Sequence, residues 1–282
     1  MTTSSAPRRH RSLLFVPGLR PKLFAKAIEA GADIVCVDLE DAVAAARKDE
    51  ARTLSLPLFA GGPHPRVERA LRVNNIRTPE GLRDLQEVIA LADPPDTLVL
   101  PKVRDASEVQ IIDELLANNP HPIGLQVIIE TNDGLLNAAE IAAASPRVQA
   151  LFIGTVDLSA ELRIKRTWQA LLYARSRVVH AAARAGVDVL DVPFLDLTDP
   201  EGLRAEAESS AEIGFTGKAA IHPDQLPIIH ATFTPSAEEV ARAKSIIEAF
   251  RTSTDGLLVI DGKLIEKPVL REMQRILANA GS

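Results

Sequence analysis

The chain has 282 residues, of which 46% are hydrophobic and 25% are charged, and this composition excludes wholesale disorder. Its 32 basic and 38 acidic residues give a formal net charge of −6, whereas a general nucleic-acid-binding protein is more often basic. Aromatic residues make up only 4%, which argues against stacking surfaces for single-stranded nucleic acid. We therefore expect no nucleic-acid partner.

The chain has one cysteine, Cys36, which excludes an intramolecular disulfide and a cysteine-rich metal site. Its apolar neighbours favour a buried structural thiol over a nucleophile. No apolar run approaches the roughly 18 to 20 residues of a membrane span, and no signal-type apolar segment follows the polar start. We expect a soluble cytoplasmic protein without a membrane partner.

Short apolar segments alternate with longer amphipathic segments along most of the chain. The predicted strands are residues 12–16, 34–39, 70–74, 97–100, 124–129, 148–153, 187–192 and 218–221. The predicted helices that follow them are residues 21–30, 42–56, 80–91, 107–117, 134–144, 167–185, 200–213 and 223–231. Most of the strands are apolar on both faces, which is typical of parallel strands covered by helices.

Eight such β–α units predict an α/β protein with a closed (β/α)8 TIM barrel over residues 11–235. The alternative is an open, doubly wound sheet. No glycine-rich dinucleotide or P-loop fingerprint follows an early strand, which weakens that alternative. Residues 236–282 differ: they predict a helix at 237–250 with Ser236 as its N-cap, a hairpin at 257–265 and a closing helix at 268–280.

In a barrel of this kind the active site lies at the carboxyl ends of the strands. The polar residues predicted there are Asp38, Glu40, Asp41, Arg72, Asn74, Lys102, Glu130, Asp157, Asp191 and His222. Two or three carboxylates with open positions suit Mg²⁺ or Mn²⁺, and we expect Glu130 and Asp157 to bind such a metal. The alternative reading, that an acid caps the following helix, is favoured for Asp41 and Asp199.

Ten short motifs follow one another in the chain. They are RSLLFVPG at 11–18, DLEDAV at 38–43, RVN at 72–74, LPK at 100–102, IET at 129–131, GTVDL at 154–158, YARS at 173–176, GFTGK at 214–218, IHPDQ at 221–225 and DGK at 261–263. In this order they resemble citrate lyase β-subunit-like proteins of the aldolase and citrate lyase β superfamily. The resemblance runs from about residue 11 to residue 280 and is more specific for family than for substrate.

The resemblance implies a homotrimeric or hexameric barrel enzyme that uses Mg²⁺, with Mn²⁺ as an alternative. Such enzymes cleave or form a carbon–carbon bond in a β-hydroxy acyl thioester, for example citryl-, malyl- or citramalyl-CoA. The products are a 2-oxo acid, such as oxaloacetate, and an acyl thioester. The resemblance further implies metal binding by Glu130 and Asp157 and carboxylate binding by Arg72. It implies that residues 236–282 form a lid over a neighbouring subunit, in which Asp261 is the catalytic acid.

The remaining candidates surround this set. We expect Lys102 to join Arg72 and Glu130 as a substrate-binding residue, and Asp38, Glu40 and Asp41 to tune the metal through its waters. We expect Arg20 and Lys26 to meet the phosphates of coenzyme A or of an acyl carrier protein. The alternative for these two is a solvated basic helix face.

Two departures from the family pattern leave other functions open. Val156 stands where family members commonly carry an acid before the metal aspartate, and residues 160–166 are more charged than the glycine-bearing loop often found there. Val156 motivates a second hypothesis, a non-catalytic or carrier-protein-dependent subunit that binds a 2-oxo acid. A third hypothesis is an acyl-CoA thioesterase on the same scaffold.

Overall fold

The computed structural model describes residues 10–252, 258–260 and 263–280, and the chain divides between Ile229 and His230 into two compact units. Eight parallel strands of the first unit close into a barrel in sequence order. They are β1 (Ser12–Pro17), β2 (Ile34–Asp38), β3 (Glu68–Arg72), β4 (Thr97–Leu100), β5 (Gly124–Ile129), β6 (Val148–Ile153), β7 (Asp188–Asp191) and β8 (Gly217–Ala220). Pairing of β1 with β8 closes the barrel, so the predicted closed fold is confirmed and the open sheet is wrong.

Helices connect the strands. They are α1 (Lys22–Glu29), α2 (Lys48–Ser55), α3 (Pro79–Ala90), α4 (Ala106–Leu116), α5 (Asn132–Leu136), α6 (Ala138–Ala142), α7 (Thr155–Leu162), α8 (Trp168–Ala185), α9 (Pro200–Glu212) and α10 (Leu226–Phe233). Short 3₁₀ segments lie at Ala45–Arg47, Leu56–Phe59 and Pro223–Gln225. As predicted, the Asp199 carboxylate caps α9 by accepting a hydrogen bond from the Gly202 N–H at 2.8 Å.

Two local expectations are wrong. The helix predicted from residue 42 begins only at Lys48, because the Asp38 carboxylate binds the backbone N–H groups of Glu40 and Ala42 at 2.8 and 3.1 Å. Such side-chain bonds to nearby backbone compete with helix formation. The helix predicted at 134–144 is interrupted at Asn137, and α7 was not predicted at all.

Apolar side chains from all eight strands fill the barrel interior. They are Leu13, Ile34, Cys36, Ala70, Val99, Ile128, Ala150, Phe152, Leu190 and Ala219. Cys36 is fully buried, as predicted, and burial raises the pKa of its thiol. The interior is therefore a packed core, and a small molecule has room only at the ends of the strands.

The second unit has a small core of its own. Helix α11 (Ala237–Thr252) begins with a reciprocal cap, in which Ser236 and Glu239 each accept the other's backbone N–H. Strands β9 (Leu258–Ile260) and β10 (Lys263–Ile265) pair antiparallel, and α12 (Lys267–Ala280) follows. Ala243, Ile246, Ile265 and Met273 pack together. No described helix combines the length and the apolar character needed to cross a bilayer.

A buried histidine ties together strands at the amino end of the barrel. His10 Nδ1 lies 2.8 Å from Asp188 Oδ2 at the start of β7, and its Nε2 lies 3.0 Å from Glu68 Oε2 at the start of β3. Burial lowers the pKa of His10, but the two carboxylates outweigh burial and raise it to about 10. The imidazolium is therefore the folded form at neutral pH.

We expect His10→Gln to lower the free energy of unfolding by roughly 1–3 kcal/mol at pH 6, because buried Glu68 loses a charged partner. The contribution of His10 is complete below pH 6.5 and is lost as the pH rises toward 10, so the difference between the two proteins should narrow over that interval. Urea denaturation at pH 6 and pH 9.5 measures it. His180→Gln, at an exposed position of α8, is the matched control; an equal deficit at both pH values would contradict the prediction.

Candidate active site

A cavity of about 1160 Å³ opens at the carboxyl ends of the strands. Its lining includes five of the predicted site residues, Asp38, Asp41, Arg72, Glu130 and Asp157. The predicted residues Glu40 and Lys102 contact this group directly. The fold therefore brings together residues that are up to 119 positions apart in the chain, from Asp38 to Asp157.

Arg72 and Asp38 form the central ion pair. They end β3 and β2 at paired positions, so their side chains leave the sheet side by side. Arg72 donates from Nε to Asp38 Oδ1 at 2.8 Å and from Nη2 to Oδ2 at 2.6 Å, and its guanidinium lies 4.8 Å from the centre of the Phe15 ring. Burial opposes the charge of Arg72, but Asp38 and Glu40 more than offset it and raise its pKa.

This pairing limits how Arg72 can bind a substrate. The Nε–Nη2 edge is occupied by Asp38, and Nη1 lies 3.4 Å from Glu40. Arg72 lines the cavity, so a carboxylate bound there would share Nη1 with Glu40 and Nη2 with Asp38. Two hydrogen bonds and an aromatic ring fix the direction of the guanidinium.

Lys102 organises a second set of acids. Its Nζ contacts Glu40 Oε1, lies 3.1 Å from Asp41 Oδ1 and is 4.0 Å from Asp157 Oδ2. Burial raises the pKa of Glu40. At Asp41 burial also opposes ionisation, but the hydrogen bond and charge of Lys102, together with Glu40 and Arg72, outweigh it and lower the pKa. The expectation that Asp41 caps a helix is wrong, because its carboxylate binds Lys102 and α2 begins seven residues later at Lys48.

The backbone of Lys102 is strained. Its φ of 55° lies in the left-handed region, which costs a residue with a side chain about 1–2 kcal/mol. In this conformation the Lys102 N–H donates to Glu130 Oε1 at 2.8 Å. Lys102 thus holds Glu130 with its backbone and Glu40 with its side chain. Substrate binding by Lys102 stays a prediction.

Glu130 is a buried acid whose charge the surrounding residues do not fully compensate. Its side chain lies at the end of β5 and is 4% exposed. Burial, reinforced by the charges of Glu40 and Asp157, raises its pKa to about 8 despite the Lys102 N–H. A Cβ at position 154 would collide with the Glu130 carboxylate, so Gly154 leaves the space in which this carboxylate lies.

These residues fit a divalent cation. Among the described residues no cluster of three or more His, Cys, Asp or Glu side chains has metal-holding geometry. Mg²⁺, however, is commonly bound by one or two carboxylates and completes its shell with water and substrate. Glu130 and Asp157 supply two carboxylates at one cavity, and a cation would relieve the charge that burial disfavours at Glu130. Their role as metal ligands stays a prediction.

Other predicted residues lie elsewhere. Arg20 and Lys26 are exposed, in the loop after β1 and on α1, and do not line the cavity. Asp261 lies outside the described residues. Conversely, the pairing of Arg175 with Trp168 was not predicted, although both line the cavity. Their spacing of seven within the predicted helix 167–185 places them on one helix face and was a usable signal.

The fold and the site together define a (β/α)8 barrel with a carboxylate-rich cavity at the carboxyl ends of its strands, which Arg72 also lines. Residues 11–223 match the family model for HpcH/HpaI aldolase/citrate lyase, and the chain belongs to this family. The family resemblance drawn from the ten motifs is therefore confirmed.

Relatives with known names match over nearly the full length. The chain is 33% identical to L-malyl-CoA/beta-methylmalyl-CoA lyase of Cereibacter sphaeroides, over 97% of this chain and 95% of the relative. It is 32% identical to citrate lyase subunit beta of Leuconostoc mesenteroides subsp. cremoris, over 97% and 94%. It is 37% identical to (3S)-malyl-CoA thioesterase of C. sphaeroides, over 96% and 94%.

A solved structure shows the same fold. The CitE protein of Mycobacterium tuberculosis, in complex with magnesium, acetoacetate and coenzyme A, is 34% identical and superposes with a TM-score of 0.79. The match covers 97% of this chain and 99% of that one. A protein of the same fold thus holds Mg²⁺ and a small oxo acid.

The raised pKa of Glu130 has a consequence for stability. This carboxyl has a pKa near 4.5 in the unfolded chain and about 8 in the folded protein. The free energy of unfolding therefore falls as the pH rises between these two values. Glu130→Gln removes the ionisation but still accepts the Lys102 N–H. In chelator at pH 8, we expect the free energy of unfolding of the variant to exceed that of wild type by roughly 1–3 kcal/mol. At pH 5 the two values should be similar.

Urea denaturation with EDTA at both pH values measures this effect. Added Mg²⁺ should stabilise the wild type and leave the variant unchanged, because a ligand stabilises only the protein that binds it. Equal stability of the two proteins at pH 8 in chelator would contradict the assignment of a buried, uncompensated charge to Glu130.

Proposed function

We propose that the chain is a Mg²⁺-dependent carbon–carbon lyase. Its substrate would be a β-hydroxy acyl thioester such as citryl-, malyl- or citramalyl-CoA, cleaved into (or formed from) a 2-oxo acid and an acyl thioester. The observation that carries this proposal is the buried, uncompensated Glu130 beside Asp157 and Arg72 in one cavity. Family membership and two lyase relatives support it.

Each residue has a role in this reaction. Glu130 and Asp157 would hold Mg²⁺, which when bound polarises substrate oxygens and stabilises developing negative charge. Arg72 would orient the carboxylate of the 2-oxo acid through its Nη1–Nη2 end, while Asp38 fixes the guanidinium. Lys102 keeps Glu40 and Asp41 in place beside the centre.

A second candidate function is thioester hydrolysis. The 37% identical thioesterase relative shows that the same family also contains proteins of that name. The two activities differ in their products. A lyase releases a 2-oxo acid and leaves the thioester intact, whereas a thioesterase releases free thiol.

The carrier and the assembly state complete the proposal. Arg20 and Lys26, both exposed, would contact the phosphates of coenzyme A or of a carrier protein. A homotrimer or hexamer would allow Asp261 of one subunit to serve as acid and base at the site of another.

The purified chain, assayed with Mg²⁺ and malyl-, citramalyl- and citryl-CoA, should release a 2-oxo acid without stoichiometric free thiol, and EDTA should abolish this release. Glu130→Gln should lower kcat by at least about 10³-fold with the fold intact, because a metal ligand is lost. Glu140→Gln, an exposed acid on α6, is the matched control. Free thiol without 2-oxo acid would overturn the lyase in favour of the thioesterase, and full activity of Glu130→Gln would remove Glu130 from the site.

The proposed role of Asp261 in a neighbouring subunit predicts complementation. Arg72→Met and Asp261→Asn should each be inactive alone. If Asp261 acts at the partner's site, random mixed oligomers should recover about a quarter of wild-type activity, because one site in four combines both native residues. Co-expression of the two variants with separate tags measures this recovery. A mixture as inactive as its components would contradict a shared site.

A further inference from the structure

The cavity contains a second arginine that the proposed reaction has not used. Arg175 lies on α8, is 3% exposed and lines the cavity. Its Nε donates to Asp191 Oδ1 at the end of β7, at 3.2 Å, and its guanidinium lies 4.4 Å from the centre of the Trp168 ring. Arg175 thus places a second positive charge at the wall of the cavity that Arg72 also lines.

Among the described residues, the outer end of this guanidinium has no protein partner. Within residues 10–252, 258–260 and 263–280, Arg175 makes its Nε bond to Asp191 and its ring contact with Trp168, and neither Nη nitrogen has an acceptor. These nitrogens are not enclosed by protein either, so the space they border is the cavity. Buried guanidinium donors normally have acceptors, so an arginine with both terminal groups free points to a ligand.

The guanidinium groups of Arg175 and Arg72 are held by the same kinds of contact. Each arginine is held through Nε by an aspartate that ends a barrel strand, and each lies over an aromatic ring. Arg72 also gives Nη2 to its aspartate, whereas Arg175 keeps both Nη groups free. Arg175 therefore keeps more unpaired donors than Arg72 for a bidentate bond to a carboxylate.

The charged residues around Arg175 hold its Nε side and leave its two Nη groups without an ion-pair partner among the described residues. Asp191 also accepts hydrogen bonds from Lys218 at 2.9 Å and from Ser210 at 2.7 Å. Burial opposes the ionisation of Asp191, but Lys218 and Arg175 outweigh it and lower its pKa. Glu206, which also lines the cavity, is bound by Lys218 at 2.7 Å. Each acid of this cluster is thus bound by Lys218 or Arg175 on its inner side.

We propose that Arg175 is a specificity-determining residue that binds a second carboxylate of the substrate. Arg72 would take the carboxylate next to the reacting carbonyl, and Arg175 the distal one. The chain would then prefer a dicarboxylic 2-oxo acid over its monocarboxylic counterpart. This inference rests on the proposed function and narrows its substrate class.

Oxaloacetate and pyruvate are the matched probes, because they differ by one carboxylate. Binding of each, freshly dissolved with Mg²⁺, is measured by isothermal titration to wild type, Arg175→Lys and Arg175→Gln. We expect wild type to bind oxaloacetate at least about tenfold more tightly than pyruvate, a difference of about 1.4 kcal/mol. Both variants should lose this preference while their affinity for pyruvate changes less than about threefold.

The only tryptophan of the chain supplies a local readout. Because Trp168 stacks on Arg175, oxaloacetate should change its emission in wild type more than pyruvate does, and this difference should vanish in Arg175→Gln. Arg69→Met is the control for a merely structural role: Arg69 is a buried arginine that pairs with Asp96 and lies over the Phe59 ring, but it does not line the cavity. It should lower the melting temperature and keep the preference for oxaloacetate.

The outcomes separate the two proposals. An unchanged preference in Arg175→Lys and Arg175→Gln, or an equal loss of affinity for both acids, overturns the role of Arg175 and leaves the lyase proposal intact. Wild type that binds neither acid in the presence of Mg²⁺ overturns the lyase proposal and the subsite together.

Discussion

Crowding of negative charge in a partly dry barrel mouth is the constraint on which this site depends. Five carboxylates meet there, and the basic side chains in contact with them are Arg72 and Lys102. The side chains of both cations pair with acids other than Glu130, and the pKa of Glu130 is raised to about 8. Because a divalent cation relieves both the repulsion and the desolvation, the fold itself favours a cation at this point.

The backbone sets the positions of these acids and cations relative to one another. Asp38 and Arg72 are neighbours because β2 and β3 pair in register, and a shift of one residue would separate them. Lys102 contacts Glu40 and Glu130 together from a left-handed backbone conformation. Backbone strain of this kind persists where contacts with the surrounding structure hold the residue in place.

The sequence predicted the barrel because its apolar segments are short, evenly spaced and hydrophobic on both faces. It also predicted most of the rim, since in a barrel any polar residue at a strand end faces the same mouth. What it missed depends on tertiary contacts. The late start of α2 follows from the carboxylate of Asp38 binding local amides. The pairing of Arg175 with Asp191 joins a helix to the next strand, and no local pattern of residue types encodes it.

The two arginines show how a site rich in acids can still bind an anion. A free guanidinium in such surroundings would be drawn into the nearest carboxylate and lost to a ligand. Here an aspartate at a strand end takes the inner side of each guanidinium and an aromatic ring restricts its plane, so the outer end keeps its direction. The aspartate therefore does not cancel the recognition of an anion. It fixes the donors in place beforehand, and the entropy of ordering them is not lost again when the ligand binds.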